Sequence, residues 1–174
     1  CIPAEPDFLA ALRRLCTDHG SVLIFDEVMT SRLHPGGAQA RFGVLPDMTT
    51  LGKYLAGGMT FGAFGGRRSV MAAFDPAQGG TLSQAGTFNN NVVSMAAGVA
   101  ALRDVLTPQA LIALNERGDQ LRERLGVTFA GAGLPLTVTG VGSMMNIHAP
   151  DDRWVALFFH SMLEAGFYLA RRGM

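Results

Sequence analysis

The sequence has 174 residues and a balanced charge, with 14 Lys+Arg against 14 Asp+Glu and a pI near 7.1. This balance, without any basic stripe, argues against binding to nucleic acid or to an anionic membrane surface. Hydrophobic residues make up 48% of the chain, enough for a core, yet no apolar run reaches the about 20 residues of a membrane span. We therefore expect a cytoplasmic protein.

The start of the chain predicts a helix and then a strand that ends in two acids. Residues 5–20 carry apolar side chains at helical spacing, with a proline near the start and Gly20 at the end. The apolar run 21–25 follows at once, as in a parallel strand that is covered on both faces. It stops at Asp26 and Glu27, so this strand presents two carboxylates at its carboxyl end.

The middle of the chain predicts further strands and helices. MTTLG reads as a short strand directly before Lys53, and residues 61–74 read as a strand that turns into a short helix. Residues 94–106 have a helical pattern. A second helix starts at Thr107-Pro108, a pair suited to a helix start, and runs to about residue 125.

The last part of the chain predicts strand, helix and strand. Residues 136–148 alternate like a half-buried strand, residues 152–165 form a helix ended by Gly166, and FYLA at 167–170 reads as a last strand. Strands that alternate with helices indicate an α/β architecture.

A shift towards glycine and alanine near residues 125–135 marks the best candidate for a domain boundary. We therefore predict one domain over 1–125 and a second over 126–174. The chain begins with cysteine and ends with FYLARRGM, which reads as a strand and turn cut short. We expect it to be a piece of a larger protein.

The acids Asp26 and Glu27 allow three interpretations: a magnesium site beside a nucleotide, a cofactor site, or the edge of a loop. The nucleotide interpretation requires a phosphate loop of the form G-x-x-x-x-G-K-[ST]. The only Gly-Lys pair, Gly52-Lys53, is followed by Tyr54, lacks the earlier glycine and comes after the acidic strand. These features weaken the interpretation of the acidic strand as a Walker B segment, whose acid holds magnesium beside a nucleotide, but they leave it open.

Asp26 and Lys53 together suggest a different chemistry. They lie 27 residues apart, each just after a predicted strand, and open α/β sheets bind ligands at the carboxyl ends of their strands. A lysine Schiff base with an acid against the ring nitrogen is the arrangement that pyridoxal phosphate requires. The alternative, a loop-capping Asp26 and a solvated Lys53, carries about equal weight on spacing alone.

Three strings add specific information: LIFDEVMTSR, DMTTLGKYLAGGMTFGAFGGRR and QAGTFNNNVVSMAAG. In this order and spacing they closely resemble the class III, fold-type I aminotransferases, in the branch of glutamate-1-semialdehyde aminomutase and β-phenylalanine aminotransferase. The resemblance covers nearly all of this chain but only the second half of the family's chain. It implies part of the large pyridoxal-phosphate domain, a mostly parallel sheet with flanking helices, and the start of a smaller α+β C-terminal domain.

The resemblance also implies roles for five residues. Asp26 would be the partner of the pyridinium nitrogen and Lys53 the Schiff-base lysine. Val28 would pack against the face of the cofactor ring. Thr87 would donate a hydrogen bond to the cofactor phosphate, across a dimer interface. Arg172 would bind a substrate carboxylate, a task that suits the bidentate guanidinium.

Other polar residues are expected to be structural. Glu27 should point away from Asp26 into a structural hydrogen bond, because neighbouring strand residues face opposite sides. His34, His148 and His160 do not share ligand spacing with a carboxylate, so we predict no metal site. The sequence Ser31-Arg32-Leu33-His34 replaces the glycine-rich continuation of the ω-transaminases, which favours the branch named above.

The resemblance therefore implies a pyridoxal-phosphate-dependent aminotransferase that acts between an amino acid, including β-amino acids, and a keto acid. Its partners would be these small molecules and a second copy of itself, in a homodimer with shared active sites. Two alternatives remain: an aminomutase of the glutamate-1-semialdehyde type, and a non-catalytic fragment of such an enzyme.

Overall fold

The structure is a computed structural model that describes residues 1–170, in which the chain forms two compact units. One unit comprises residues 4–112, and the other combines residues 1–3 with the chain from residue 113 onward. The change of unit falls inside one long helix. The sequence places the domain boundary after residue 125, in this same helix.

The first unit holds a small sheet with helices around it. Its main elements are α1 (Pro6–Asp18), β1 (Ile24–Asp26), α2 (Gly37–Phe42), β2 (Met48–Gly52), β3 (Gly62–Gly66), α3 (Arg68–Met71) and α4 (Val92–Ala100). Short 3₁₀ turns follow β1 and β2, at Thr30–Leu33 and Lys53–Ala56. A π-helical turn, Ala101–Val105, extends α4. The predicted helices and strands of this region are confirmed, with shifts of a few residues at their ends.

The three strands form one sheet in the order β1-β2-β3. β1 and β2 are parallel, with Asp26 opposite Thr50, whereas β2 and β3 are antiparallel, with Met48 opposite Gly66. The connection from β2 to β3 is shorter than the dozen or so residues that a parallel crossover requires. The parallel pair of β1 and β2 places Asp26 and Lys53 at the same end of the sheet, where both strands have their carboxyl ends.

The burial of the first strand differs from the prediction. Leu23 is buried, but Ile24 is 52% exposed and Val22 is also exposed. Within residues 1–170, β1 pairs with β2 alone, so its second edge has no neighbouring strand. A parallel strand is buried on both faces only when other elements cover it. The described residues do not provide that cover.

The second unit contains most of the long helix α5, a hairpin and a final helix. Its elements are α5 (Pro108–Gly131), β4 (Thr137–Val141), β5 (Met144–His148) and α6 (Asp152–Glu164). α5 runs about six residues past the predicted end, because a glycine inside a helix costs only about 1 kcal/mol and does not by itself end it. No single helix among the described residues is long and apolar enough to cross a membrane. One pair of successive helices, 92–105 and 108–131, meets that test of length and composition only when the two are taken together.

Two strand predictions in the second unit are wrong. Residues 136–148 form a hairpin and not a single strand, with Val141 opposite Met144 and a positive φ of 55° at Gly142 in the two-residue turn. The alternating pattern continues across such a turn, so alternation alone does not reveal the reversal. Residues 167–170 form no strand, although α6 ends as predicted before Gly166.

Asp47 is a buried acid that ties three parts of the first unit together. It is 5% exposed, and its Oδ2 accepts hydrogen bonds from the Leu23 amide and the Arg13 guanidinium, both at 2.8 Å. Arg67, after β3, forms an ion pair with Oδ1 at 2.9 Å. The hydrogen bond from the Leu23 amide is the largest cause that holds the pKa of the Asp47 carboxyl below its ordinary value, and the hydrogen bond from Arg13 is the second.

We expect the stability of the first unit to fall in acid because of Asp47. A lowered folded pKa means that the charged carboxylate stabilises the fold fully above the ordinary pKa of 3.8, and that this contribution is lost as the pH falls through the lowered value. Asp47→Asn should therefore lower the urea midpoint at pH 7 and flatten its dependence on pH below about 4.

Asp104→Asn is the matched control for this prediction. Asp104 also pairs with an arginine, Arg103, but both side chains are exposed, and exposed ion pairs contribute little to stability. Equal urea midpoints for the two variants at pH 7 would contradict the role of Asp47.

Candidate active site

Asp26 is the last residue of β1, and its carboxylate is exposed but held in one orientation. Its Oδ1 accepts two hydrogen bonds, from the Val28 amide at 3.1 Å and from the Thr50 hydroxyl at 3.0 Å. Thr50 lies opposite Asp26 on β2. Among the described residues, Oδ2 accepts no hydrogen bond, so it is available to a donor that approaches this edge.

Lys53 lies at the same end of the sheet as Asp26. It follows directly after β2, three residues beyond Thr50, and its side chain is exposed. Its φ of 52° lies in the left-handed region, which costs a non-glycine residue roughly 1–2 kcal/mol. Such strain persists only where the surrounding structure enforces it, and it is concentrated at functional sites.

Val28 packs beside the residue that precedes Lys53. A Cβ built on Gly52 would lie 3.7 Å from Val28 Cγ1 and 3.2 Å from the Phe61 carbonyl oxygen. The contact with Val28 is of ordinary van der Waals length, so Val28 lies directly beside the end of β2, and only the Phe61 carbonyl leaves little room for a side chain at Gly52. This arrangement brings Val28, Asp26 and Lys53 to one region.

Glu27 points away from Asp26 and is structural, as predicted. It is 1% exposed, and its carboxylate accepts the amides of Ala38 at 2.6 Å and Gln39 at 2.8 Å. These amides belong to the first turn of α2, where a carboxylate satisfies donors that have no helical partner. A third, longer contact comes from the Thr30 hydroxyl at 3.3 Å.

We expect Gly37→Ala to disrupt this cap strongly. A Cβ on Gly37 would lie 2.7 Å and 2.8 Å from the two Glu27 carboxylate oxygens, and Gly37 has a φ of 77°. The substitution combines a clash with backbone strain, and should lower the free energy of unfolding by about 3 kcal/mol.

Gly43→Ala is the matched control, because Gly43 has a φ of 67° but open space around its Cα. It should cost only the strain, about 1 kcal/mol. Urea unfolding of both variants measures the difference. A Gly37→Ala variant no less stable than Gly43→Ala would contradict the packing of Glu27 against Gly37.

Thr87 lies in an exposed turn before α4, and no hydrogen bond among the described residues joins it to Asp26 or Lys53. The next residues, from Phe88 onward, line a cavity of about 1040 Å³ on the face of the sheet that carries Thr50. Thr87 is therefore near this face but outside the Asp26–Lys53 cluster. Arg172, the predicted carboxylate-binding residue, lies outside the described residues.

Three of the four histidines, those at 34, 148 and 160, make contacts within the fold. His34 Nδ1 accepts the Gly36 amide at 3.0 Å, and His148 forms a 2.7 Å hydrogen bond with the Thr139 hydroxyl. His160 packs edge-on against Phe159. Among residues 1–170, no three side chains of His, Cys, Asp or Glu gather as metal ligands.

Sequence reasoning missed three features of the site. Thr50 orients Asp26, but nothing in a strand sequence marks this threonine as different from Thr49 beside it. Tyr54, after the lysine, forms a hydrogen bond with Ser31 at 2.9 Å. Lys53 is also the only lysine in the sequence, a signal that composition alone supplies.

The described residues fit pyridoxal phosphate at its ring and aldehyde ends. Asp26 Oδ2 is an open carboxylate acceptor for a ring N–H, and its partner oxygen is already held by Thr50 and Val28. Lys53 supplies an exposed amine at the same edge, and Val28 supplies an apolar surface. These three side chains match what the cofactor requires of the protein at its ring and aldehyde ends.

Comparison with known proteins gives a consistent match. The sequence model of the family "Aminotransferase class-III" matches residues 1–174. The β-phenylalanine transaminase of Variovorax paradoxus is 50% identical over 99% of this chain and 43% of its own length, and its crystal structure superposes with a TM-score of 0.95. A solved transaminase with PLP bound is 36% identical, with a TM-score of 0.92 over 99% of this chain and 42% of that chain.

A glutamate-1-semialdehyde aminomutase of Pseudomonas aeruginosa PAO1 is more distant. It is 25% identical, with a TM-score of 0.80 over 99% of this chain and 43% of that chain. The fold is thus shared across transaminases and aminomutases, whereas the sequence is closer to the transaminases. The chain spans 43% of the length of the curated β-phenylalanine transaminase that it matches.

Proposed function

Since the chain belongs to the class-III aminotransferase family, we propose that it carries the lysine and acid of a pyridoxal-phosphate-dependent aminotransferase. The protein would move an amino group between an amino acid and a keto acid. The observation that carries this proposal is the parallel register of β1 and β2, in which Asp26 lies opposite Thr50 and Lys53 leaves the same edge.

Asp26 has the role of stabilising a protonated ring. Pyridoxal phosphate, when bound, supplies an electron sink for the carbon that loses a proton. Asp26 would accept the ring N–H at its open Oδ2, which would favour the protonated ring nitrogen and so the better sink. The hydrogen bonds of Thr50 and the Val28 amide to Oδ1 hold the carboxylate in place for this contact.

Lys53 has two roles. Its amine would hold the cofactor covalently, and its Nζ, once released by an amino substrate, would carry the proton that the substrate carbon loses. The exposed position at the sheet edge leaves Nζ accessible for both tasks. Val28 gives the ring an apolar surface on one face.

β-Amino acids are the substrate class that we propose. The support is the 50% identity to a β-phenylalanine transaminase, against 25% to an aminomutase with the same fold. We propose that Arg172 binds the substrate carboxylate through its guanidinium fork. The aminomutase alternative uses the same Asp26 and Lys53, and differs in needing no keto-acid acceptor.

A homodimer with shared active sites is also proposed, with Thr87 reaching the phosphate of the partner subunit's cofactor. Large apolar side chains that follow Thr87 in the sequence support it, because Phe88 is 82% and Val92 is 79% exposed in the chain by itself. Sedimentation of the protein, with and without cofactor, measures its oligomeric state. A cytoplasmic location stays a prediction that cell fractionation would test.

A spectrum and a substrate panel test the proposed function. With pyridoxal phosphate, the protein should show a visible absorbance band, and it should consume β-amino donors in the presence of a keto acid. Turnover of a single amino substrate without any keto acid would favour the aminomutase. A folded protein with neither band nor turnover would favour the non-catalytic alternative and contradict the proposal.

A further inference from the structure

Tyr54 joins the two turns that carry the acid and the lysine. It follows Lys53 directly, and its hydroxyl donates to Ser31 Oγ at 2.9 Å. Ser31 is buried and belongs to the 3₁₀ turn that follows β1 and Asp26. One side chain therefore connects the chain just after Lys53 to the chain just after Asp26.

The ring of Tyr54 is held as well as its hydroxyl. The Arg32 guanidinium carbon lies 5.0 Å from the centre of the ring, within the range of a cation–π contact. Arg32 and Ser31 are neighbours on the same turn, so both contacts hold Tyr54 against one segment. The phenol is thus fixed at its face and at its polar end.

Lys53 needs such support because its backbone is strained. Its φ of 52° is unfavourable for a residue with a side chain, and Lys53 is the first residue of the 3₁₀ turn, directly after an extended Gly52. Downstream, this turn is anchored at Ala56, which is fully buried. Between Ala56 and Lys53, the Tyr54–Ser31 hydrogen bond provides a further anchor, directly next to the strained residue.

We propose that Tyr54 is a positioning residue that holds Lys53 in the conformation from which its amine reaches the cofactor. This inference rests on the proposed function, in which Lys53 carries pyridoxal phosphate. It concerns the attachment step: the Lys53 nitrogen bonds to the aldehyde carbon, the carbon–oxygen bond breaks, and the oxygen leaves as water with two protons from the neutral amine. Tyr54 takes no part in this exchange of atoms.

Tyr54→Phe tests the inference, because it removes only the hydroxyl and keeps the ring beside Arg32. Ser31→Ala removes the other partner of the same hydrogen bond. Tyr168→Phe is the matched control: it makes the same chemical change at the one other tyrosine, whose side chain is exposed. Circular dichroism and urea unfolding establish that each variant is folded.

Two measurements separate positioning from a general structural effect. The first is the rate at which pyridoxal phosphate becomes attached, followed by absorbance and by borohydride trapping with mass spectrometry of the Lys53 peptide. Lys53 is the only lysine in the sequence, so the trapped cofactor on its ε-amine has to be distinguished only from cofactor on the terminal amine. The second is the affinity for pyridoxine 5′-phosphate, which lacks the aldehyde and cannot bond to lysine.

We expect attachment in Tyr54→Phe and Ser31→Ala to be roughly fivefold slower, as for the loss of one hydrogen bond, with pyridoxine 5′-phosphate affinity unchanged. The double variant should be no slower than either single variant, since both remove one interaction. Tyr168→Phe should match the wild type. Attachment within twofold of the wild type, or an equal loss of attachment and analogue binding, would overturn the inference. If the wild type itself forms no attachment, the proposed function fails first and this inference with it.

Discussion

Lys53→Ala is expected to abolish transamination, with a decrease in kcat/KM of about 10⁴-fold or more, and to remove the visible band of the bound cofactor. Lys53 is the only lysine in the sequence, so no other ε-amine lies in this chain to replace it. Removal of the side chain should also relieve none of the backbone strain, because alanine at φ 52° is as unfavourable as lysine. Stability should therefore change little.

Lys53→Arg is the control that separates charge from nucleophilicity. The guanidinium keeps the positive charge but stays protonated, so it neither bonds to an aldehyde nor carries a proton between carbons. We expect it to be as inactive as Lys53→Ala. Measurable turnover with either variant would contradict the assignment of Lys53 and would require another group to carry the chemistry.

Asp26→Asn is expected to lower kcat/KM by about 10²-fold, the size of effect that follows loss of a charged group aimed at the reacting system. The substitution is well suited to this site. The amide oxygen can still accept from Thr50 and Val28, as Oδ1 does now, which leaves the amide NH₂ in the place of Oδ2. A donor then faces the ring nitrogen in place of an acceptor.

Absorbance spectra and steady-state kinetics measure this effect, and Asp104→Asn provides the control. Asp104 is an exposed acid held by Arg103 at 2.8 Å, and the same change there should leave activity unaltered. If Asp26→Asn retained wild-type kcat/KM, the pairing of Asp26 with the ring nitrogen would be wrong, whatever the fate of Lys53.

The element sequence of the first unit is largely predictable because local signals agree there. Apolar runs and helical spacing identify β1, α1 and β2, and a buried carboxylate at Glu27 follows from the alternation of a strand. The hairpin at 137–148 is not predictable in this way, because its two arms continue one alternating pattern through a two-residue turn. The false strand at 167–170 shows that a short apolar run does not form a strand unless a partner strand pairs with it.

The candidate site is predictable in part. Asp26 and Lys53 stand out because each follows a strand, and motif strings support Val28 and Thr87. Thr50 and Tyr54 are not predictable, since each acts through a partner that is more than 20 residues away in sequence. Such a contact depends on strand register and on the path of a turn, neither of which a local pattern records.

Residue types in a fixed order are therefore enough to identify the family, the α/β class and the two residues that carry the proposed chemistry. These assignments need no knowledge of which residues are in contact. Three facts come only from contacts in the folded protein: which oxygen of Asp26 is open, how Glu27 requires a glycine at residue 37, and that Tyr54 ties the lysine turn to the acid turn. Those facts depend on parallel register and close packing, through which residues distant in sequence come within hydrogen-bonding distance.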